Sequence, residues 1–154
     1  MENRNALFSF DTRPSDSLYV NEIWRTQYEG MEEQFISIAD IHNELVITKE
    51  NGIVSLTIHG AETQASHSPL PQNADFVGIS FKMGAFMPHL PNLTNTVIQL
   101  PQANNDTFWL NGSAWQIPTY DNADIFVNRL VREGLLVYEP IVEATLQGHI
   151  KELS

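Results

Sequence analysis

The sequence predicts a mainly β protein, an antiparallel β-barrel followed by C-terminal helices. Short runs rich in apolar and aromatic residues recur along residues 18–118, with the length and spacing of strands. Two of the connections between them are the pairs Asn51-Gly52 and Asn111-Gly112, and Asn-Gly favours the two-residue type I′ turn of a β-hairpin. Beyond Pro118 the apolar residues follow the spacing of an amphipathic helix. Strands in series followed by terminal helices indicate a barrel with helices packed at its end.

Composition places the chain among globular proteins and limits its partners. The 154 residues are enough for one domain with a real core. A net charge of −11, from 19 acidic and 8 basic residues, argues against direct binding to nucleic-acid phosphates. There is no Cys, which excludes disulfides and thiolate chemistry. Because we find neither an apolar leader nor a membrane-length apolar run, we expect a cytoplasmic protein with no membrane partner.

The pattern divides the chain into three parts. Residues 1–17 are polar and predict a loose lead-in, residues 18–118 predict the barrel, and residues 119–154 predict C-terminal helices. Residues 60–74 are polar and contain two prolines, so we expect a long loop there. The strands of the barrel are predicted at residues 18–27, 35–41, 44–49, 53–59, 76–83, 96–100, 108–110 and 113–117.

The second Asn-Gly turn predicts a defined strand register. A two-residue loop pairs Leu110 with Ser113, and then Trp109 with Ala114 and Phe108 with Trp115. Because side chains alternate along a strand, the hairpin has an apolar face and a second face. The apolar face carries Phe108, Leu110, Trp115 and Ile117, and the second face carries Trp109, Ala114 and Gln116.

A well-marked helix follows this hairpin. Asp121 is a candidate N-cap, and Asp124 lies in the first turn, where negative charge is favoured. Gly134 is a candidate C′ residue, with Leu135 placed for a Schellman contact. A second helix is predicted at residues 141–147, after Pro140. An apolar stripe on the first helix is available for docking or dimerisation, as are Ile141, Val142 and Leu146 on the second; the stripe consists of Phe126, Val127, Leu130 and Val131.

Several segments together resemble the N-terminal sensor domain of AraC-type bacterial transcription regulators. They cover most of the chain, and the later ones are fairly specific. They are residues 13–15 (RPS), 23–25 (IWR), 42–46 (HNELV), 78–81 (GISF), Gly84, residues 87–91 (MPHLP), 112–116 (GSAWQ) and 129–136 (RLVREGLL).

The resemblance implies a cupin-like β-barrel that binds a small-molecule effector and regulates transcription. In such regulators a helix-turn-helix region follows the barrel and reads DNA. This chain stops at Ser154, about where those helices would begin or be completed. We therefore expect DNA binding only through a C-terminal domain absent from this chain, and a possible homodimer formed through the C-terminal helices.

An effector pocket in such a barrel should be apolar with a few polar anchors. Trp24 and Trp109 are the aromatic candidates, whereas Trp115 is better explained by core packing against Phe108. If the strand from residue 35 runs on, His42 and Glu44 point inward on one face. His89, between two prolines, is either a residue at the barrel mouth that reads a ligand or a loop residue. The predicted ligand-binding residues are Trp24, His42, Glu44, His89 and Trp109.

Two alternatives stay open at the level of sequence. His42, Glu44 and His89 could form a 2-His-1-carboxylate metal site of a cupin-type enzyme, although the HxH pair usual in metal cupins is absent. The chain could also be a stand-alone barrel that binds a small molecule. Because there is neither a GxSxG elbow nor a phosphate-binding Gly-rich loop, we predict no enzymatic activity, no catalytic residue and no cofactor. His59 alternates with Thr57 and is placed outside, with no role.

Overall fold

The computed structural model describes residues 8–29, 34–37, 42–62, 66–69, 73–90 and 93–140, and this part of the chain is mainly β with antiparallel strands. The prediction of a mainly β, antiparallel protein is confirmed at this level. The strands are β1 (Phe8–Arg13), β2 (Val20–Glu29), β3 (Gln34–Ser37), β4 (Glu44–Glu50), β5 (Ile53–His59), β6 (Ser66–Pro69), β7 (Asn73–Phe81), β8 (Ala85–Phe86), β9 (Val97–Gln99), β10 (Thr107–Leu110), β11 (Ser113–Gln116) and β12 (Val137–Tyr138), and the helix is α1 (Ala123–Arg132).

Six of the strands form one sheet in the order β1-β2-β7-β4-β5-β9, with β1 and β9 at its edges. Every neighbouring pair is antiparallel. Three two-stranded ribbons accompany this sheet: β10-β11, β8-β12 and β3-β6. The ribbon β3-β6 pairs the stretch that follows β2 with the stretch that precedes β7, so the same two lengths of chain remain partners beyond the large sheet.

Both Asn-Gly turns have the conformation expected of type I′. The φ angles are 54° at Asn51 and 78° at Gly52, and 51° at Asn111 and 79° at Gly112. Positive φ at both central residues is what this turn requires, and Asn and Gly tolerate it best. The predicted register of the second hairpin is confirmed pair by pair, from Leu110 with Ser113 to Phe108 with Trp115.

The N-terminal lead-in and the long loop contain more strand than the sequence analysis predicts. Strand β1 lies within the predicted lead-in and pairs along β2, and its residues 8–13 alternate in polarity (FSFDTR) with the period of a strand. Strand β6 and the beginning of β7 lie within residues 60–74. Strand β6 gains its structure by pairing with β3, which is distant in sequence, whereas β1 shows a local strand pattern and pairs with the next strand along the chain.

One face of the large sheet packs against the hairpin β10-β11 and α1 to form the core. Ile23, Leu45 and Ile79, which are paired across three neighbouring strands, are fully buried there. On the other side of the core, the Phe126 ring of α1 contacts Phe108 and Trp115, with centroids 6.0 and 5.7 Å apart. The two hairpin faces are as predicted, because Phe108, Leu110 and Trp115 are buried while the second face is exposed.

The apolar stripe of α1 is used inside this core. Phe126, Val127 and Leu130 are buried, and Val131 packs against the same cluster. The stripe is therefore not available as a dimer surface. The second predicted helix, residues 141–147, lies outside the described residues.

The helix begins one residue later than predicted. Asn122, not Asp121, is the N-cap residue, and its Oδ1 accepts a hydrogen bond of 2.7 Å from the backbone N–H of Thr119. In return the N–H of Asn122 donates to the hydroxyl of Thr119 (3.2 Å). This reciprocal pair closes a turn across Asp121, which leaves Asp121 exposed before the helix.

The C-terminal signals are confirmed. Gly134 has a φ of 74°, its N–H donates to the carbonyl of Val131, and the N–H of Leu135 donates to the carbonyl of Leu130. These two bonds are those of a Schellman motif, which satisfies carbonyls that the helix leaves open.

Within the described residues, no helix has the length and apolar character needed to cross a membrane.

The two faces of the hairpin β10-β11 should differ sharply in their contribution to stability. Trp115 is 1% exposed, and its ring contacts Phe126 and the guanidinium of Arg129, 3.6 Å from its centroid. Trp115→Ala should lower the free energy of unfolding by about 3–5 kcal/mol, because it leaves a large cavity. Trp109→Ala, at a 45% exposed position of the same hairpin, should cost less than about 1 kcal/mol. Equal losses in urea denaturation would contradict this packing.

Candidate functional site

The large sheet has a second face, opposite the one that packs against α1. Directly paired residues of antiparallel strands point to the same side, so the pairing fixes which residues share it. Trp24 pairs with Gly78, and Glu44 pairs with both Ser80 and His59. We call this the polar face; it consists of Phe10, Thr12, Glu22, Trp24, Thr26, Glu44, Val46, Thr48, Glu50, Ile53, Ser55, Thr57, His59, Ala74, Phe76, Gly78, Ser80, Val97 and Gln99.

The middle of the polar face is withdrawn from solvent. Val46 is 8% exposed, Ser80 is 2% exposed and Gly78 is buried. The hydroxyl of Ser80 has a polar neighbour, because Asn21 Nδ2 lies 3.5 Å from it. A solvated sheet face would leave such residues open to water. This face is therefore partly enclosed, as a ligand site has to be.

Trp24 is held on three sides. Its indole Nε1–H donates a 2.9 Å hydrogen bond to Oε2 of Glu44, across the intervening strand β7. Its ring lies on Gly78, where an added Cβ would come within 2.0 Å of the indole. The ring of Phe10 stacks on it from β1, with centroids 6.1 Å apart and planes 16° apart. Two of the predicted ligand-binding residues, Trp24 and Glu44, are thus brought together in one fixed arrangement.

His59 is a member of this group that the sequence analysis gives no role. It is the direct strand partner of Glu44, and its Nε2 lies 2.9 Å from the hydroxyl of Thr57. Burial lowers the pKa of His59, so the ring is neutral at neutral pH. The sequence analysis places His59 outside, on the same side of β5 as Thr57; the two residues do share that side, but His59 is only partly exposed there. What the alternation does not reveal is that this side is partly enclosed and shared with Glu44.

The other predicted ligand residues lie elsewhere. His42 occupies a bend before β4 and is not part of a strand, and residues 38–41 of the predicted strand lie outside the described residues. His89 is exposed after β8, although partial burial still lowers its pKa. Trp109 is exposed on the outer face of the hairpin β10-β11, which is separate from the polar face.

The alternative metal site is not assembled. His42, Glu44 and His89 all belong to the described part of the chain, and no group of three or more His, Asp or Glu side chains there is arranged to hold a metal ion. The carboxylate of Glu44 accepts its hydrogen bond from Trp24 instead. A metal-dependent reaction therefore has no support from this set of residues.

Strand β1 links the polar face to α1 through a group that we call the arginine clamp: Arg13, Ser15, Tyr120 and Asp124. Arg13 Nη1 lies 2.9 Å from Oδ2 of Asp124, and Arg13 also donates to the carbonyl of Tyr120 through Nε (3.2 Å) and Nη2 (2.7 Å). The hydroxyl of Ser15 donates to the other oxygen of Asp124. The guanidinium groups of Arg13 and Arg25 both lie over the ring of Tyr120, 5.4 and 4.3 Å from its centroid.

The sequence analysis recognises Asp124 only as a favourable charge in the first turn of the helix, and Arg13 only as part of the resemblance. Residues 13 and 124 are joined by the fold rather than by any local pattern.

An open depression of about 250 Å³ lies at the other end of the sheet, beside the first Asn-Gly turn. None of the five predicted ligand-binding residues lines this depression. Its walls are partly polar and partly apolar, and it is open to solvent. Its lining residues are Gln27, Lys49, Asn51, Gly52, Asn73, Ala74 and Asp75.

The contact between Trp24 and Gly78 can be tested by a double-mutant cycle. Gly78→Ala places a methyl group inside the indole ring position, so the ring has to move and its hydrogen bond to Glu44 is lost. The free energy of unfolding should fall by about 1–3 kcal/mol. In a Trp24→Ala background the same substitution should be neutral or stabilising, because glycine weakens a strand interior. Additive effects of the two substitutions would show that the ring does not rest on Gly78.

Comparison with known proteins adds no relative. No family model, curated protein or solved structure matches this chain. Its function is therefore inferred from the geometry of the polar face and of the arginine clamp.

Proposed function

We propose that this chain is the effector-sensing domain of an AraC-type transcription regulator, which binds a small molecule on the polar face and signals through α1. The observation that carries the proposal is that β1 touches both places. Phe10 of β1 stacks on Trp24 of the polar face, and Arg13 of the same strand holds the first turn of α1. A change at Trp24 therefore has a short route to the helix.

We propose further that the polar face is the inner surface of a cupin-like barrel. Two observations support this. The middle of the face is withdrawn from solvent at Val46 and Ser80, although the packed core lies on the opposite side of the sheet. In addition, the ribbon β3-β6 continues the partnership of β2 and β7 beyond the sheet, as expected where a long antiparallel ladder bends over itself.

The chemistry of the polar face suits a small organic ligand. Trp24 and Phe76 provide apolar surface, and Glu44, Thr57 and His59 provide a few polar groups at fixed positions. Such a mixture is typical of small-molecule sites, where apolar walls give affinity and a few polar groups give orientation. Of the five ligand residues predicted from the sequence, Trp24 and Glu44 remain the proposed binding residues.

Signalling requires two arrangements of α1 for which the effector has different affinities. Strand β1 lies at the edge of the sheet and, among the described strands, pairs with β2 alone, so moving it disrupts fewer hydrogen bonds than moving a central strand. An effector that displaces Trp24 also displaces Phe10, and through β1 it shifts Arg13 relative to Asp124. As a result, the contact that holds the first turn of α1 against β1 would become stronger or weaker.

The part of the regulator that responds to this movement would follow α1 in the sequence. With a net charge of −11 this chain is unsuited to holding DNA, so DNA reading is assigned to a following domain. The apolar stripe of α1 is buried within the chain, so it cannot form the proposed homodimer surface. We therefore assign that surface to residues 141–147, which lie outside the described residues.

The link from the polar face to the helix can be tested without knowing the effector. Phe10→Ala removes the stack on Trp24, and it should increase amide hydrogen–deuterium exchange in residues 125–132 of α1 severalfold, because β1 then holds Arg13 less firmly. Val97→Ala is the matched control. Val97 lies on the opposite edge strand, β9, and its exposure of 55% is close to the 56% of Phe10. The proposal is contradicted if Phe10→Ala and Val97→Ala both leave the exchange rate in α1 unchanged, or if both raise it by the same factor.

A further inference from the structure

We propose that the edge strand β1 pairs with β1 of a second copy of this chain, antiparallel and centred on Phe10, so that two large sheets join into one. This inference goes beyond the proposed function, because it identifies an interaction surface and its partner and does not depend on effector sensing. The contact is separate from the homodimer surface assigned to residues 141–147.

The first support is that β1 is an open edge. Among the described strands it pairs with β2 alone, along its whole length. Residues 9–12 are all exposed, so the side chains on both faces of this strand are open to solvent. An edge strand directs a row of backbone N–H and C=O groups away from its sheet, and such a row is a template for pairing with another chain.

The second support is that this edge lacks the usual protection against pairing. Proteins block edge strands with Lys, Pro, bulges or a very short strand. Strand β1 has six residues, contains neither Lys nor Pro, and pairs with β2 without a shift in register. The charge of Asp11 is matched by Arg25, 3.0 Å away. The opposite edge, β9, has only three residues, and Pro101 follows closely. Strand addition therefore suits β1 better than β9.

The third support is that the sequence of β1 is complementary to itself. A two-fold axis pairs residues of the same parity, so the ladder between two copies is centred on one residue. Centred on Phe10, it places two Phe10 side chains opposite each other and Ser9 opposite Asp11 of the second copy, an aromatic pair and a hydroxyl beside a carboxylate. Centred on Asp11, it would oppose two carboxylates, which is destabilising. Charge therefore selects the register centred on Phe10.

This pairing would bring the two polar faces side by side. Phe10 stacks on Trp24 within each copy, so a movement of Phe10 would also alter the contact between the copies. Effector binding and association would then influence each other reciprocally. A single pair of six-residue strands is a small interface, so we expect association to be reversible and to depend on concentration.

Disulfide cross-linking tests the pairing and its register on the full chain, which contains no Cys of its own. Directly opposed residues of antiparallel strands have Cα atoms about 4.5–5.5 Å apart, within the range of a disulfide. Phe10→Cys should therefore give mostly covalent dimer on a non-reducing gel after mild oxidation. In Thr12→Cys the two substituted positions are about 13 Å apart along the ladder, so it should cross-link severalfold less.

Val97→Cys is the matched control for random collision. Val97 lies on the other edge of the sheet and is 55% exposed, against 56% for Phe10. It should remain mostly monomeric on the same gel.

Sedimentation measures the association without a disulfide. The unmodified chain should associate at about 100 µM, as expected of a small reversible interface. Phe10→Lys should lower the mean mass in solution about twofold, because like charges directly opposite each other on paired strands repel. Val97→Lys adds the same charge at the other edge and should leave the mean mass unchanged.

Three results would overturn the inference. One is cross-linking of Phe10→Cys no greater than that of Val97→Cys or Thr12→Cys. Another is a mean mass that Phe10→Lys leaves as it is in the unmodified chain. The third is an unmodified chain that stays monomeric at about 100 µM, and this decides the matter even where a variant does not fold. Each would leave the proposed function untouched, because hydrogen–deuterium exchange in α1 judges that function separately.

Discussion

The ion pair between Arg13 and Asp124 is the contact on which the proposed signalling depends, because it joins the edge of the sheet to the start of α1. The first N–H groups of a helix lack partners within it, and Asn122 makes no side-chain capping bond to them. The first turn is instead favoured by the carboxylate of Asp124, which Arg13 and Ser15 hold in place. Arg13 also binds the carbonyl of Tyr120, so the chain entering the helix is fixed to β1 as well.

One face of the large sheet packs against the core, and the other is the proposed binding face. One face carries the buried apolar residues Ile23, Leu45 and Ile79 and packs against α1 and the hairpin β10-β11, where Trp115 and Phe126 meet. The other carries Trp24, Glu44 and His59, which are connected by hydrogen bonding or strand pairing and are partly enclosed. Because side chains alternate along each strand, residues of the proposed binding face can vary without altering the core.

Local chemistry made part of this structure predictable. The Asn-Gly turns, the register from Leu110 with Ser113 onward and the Schellman motif at Gly134 depend on residues close together in sequence, and all are confirmed. The contacts of the candidate site depend on distant residues. Trp24 reaches Glu44 because both strands pair with β7, and Arg13 reaches Asp124 from the opposite end of the chain. The helix start was predicted one residue early, because the Thr119–Asn122 exchange of hydrogen bonds competes with a cap at Asp121.

The most direct test of the account is the coupling energy between Arg13 and Asp124, measured as a double-mutant cycle of Arg13→Gln and Asp124→Asn in chemical denaturation. The two side chains are 25% and 31% exposed, so we predict a coupling of about 1 kcal/mol or more. The same cycle on Arg25 and Asp11, which are 51% and 57% exposed, should give about 0.5 kcal/mol or less. Additive effects at Arg13 and Asp124, or a coupling no larger than that of the exposed pair, would contradict the account.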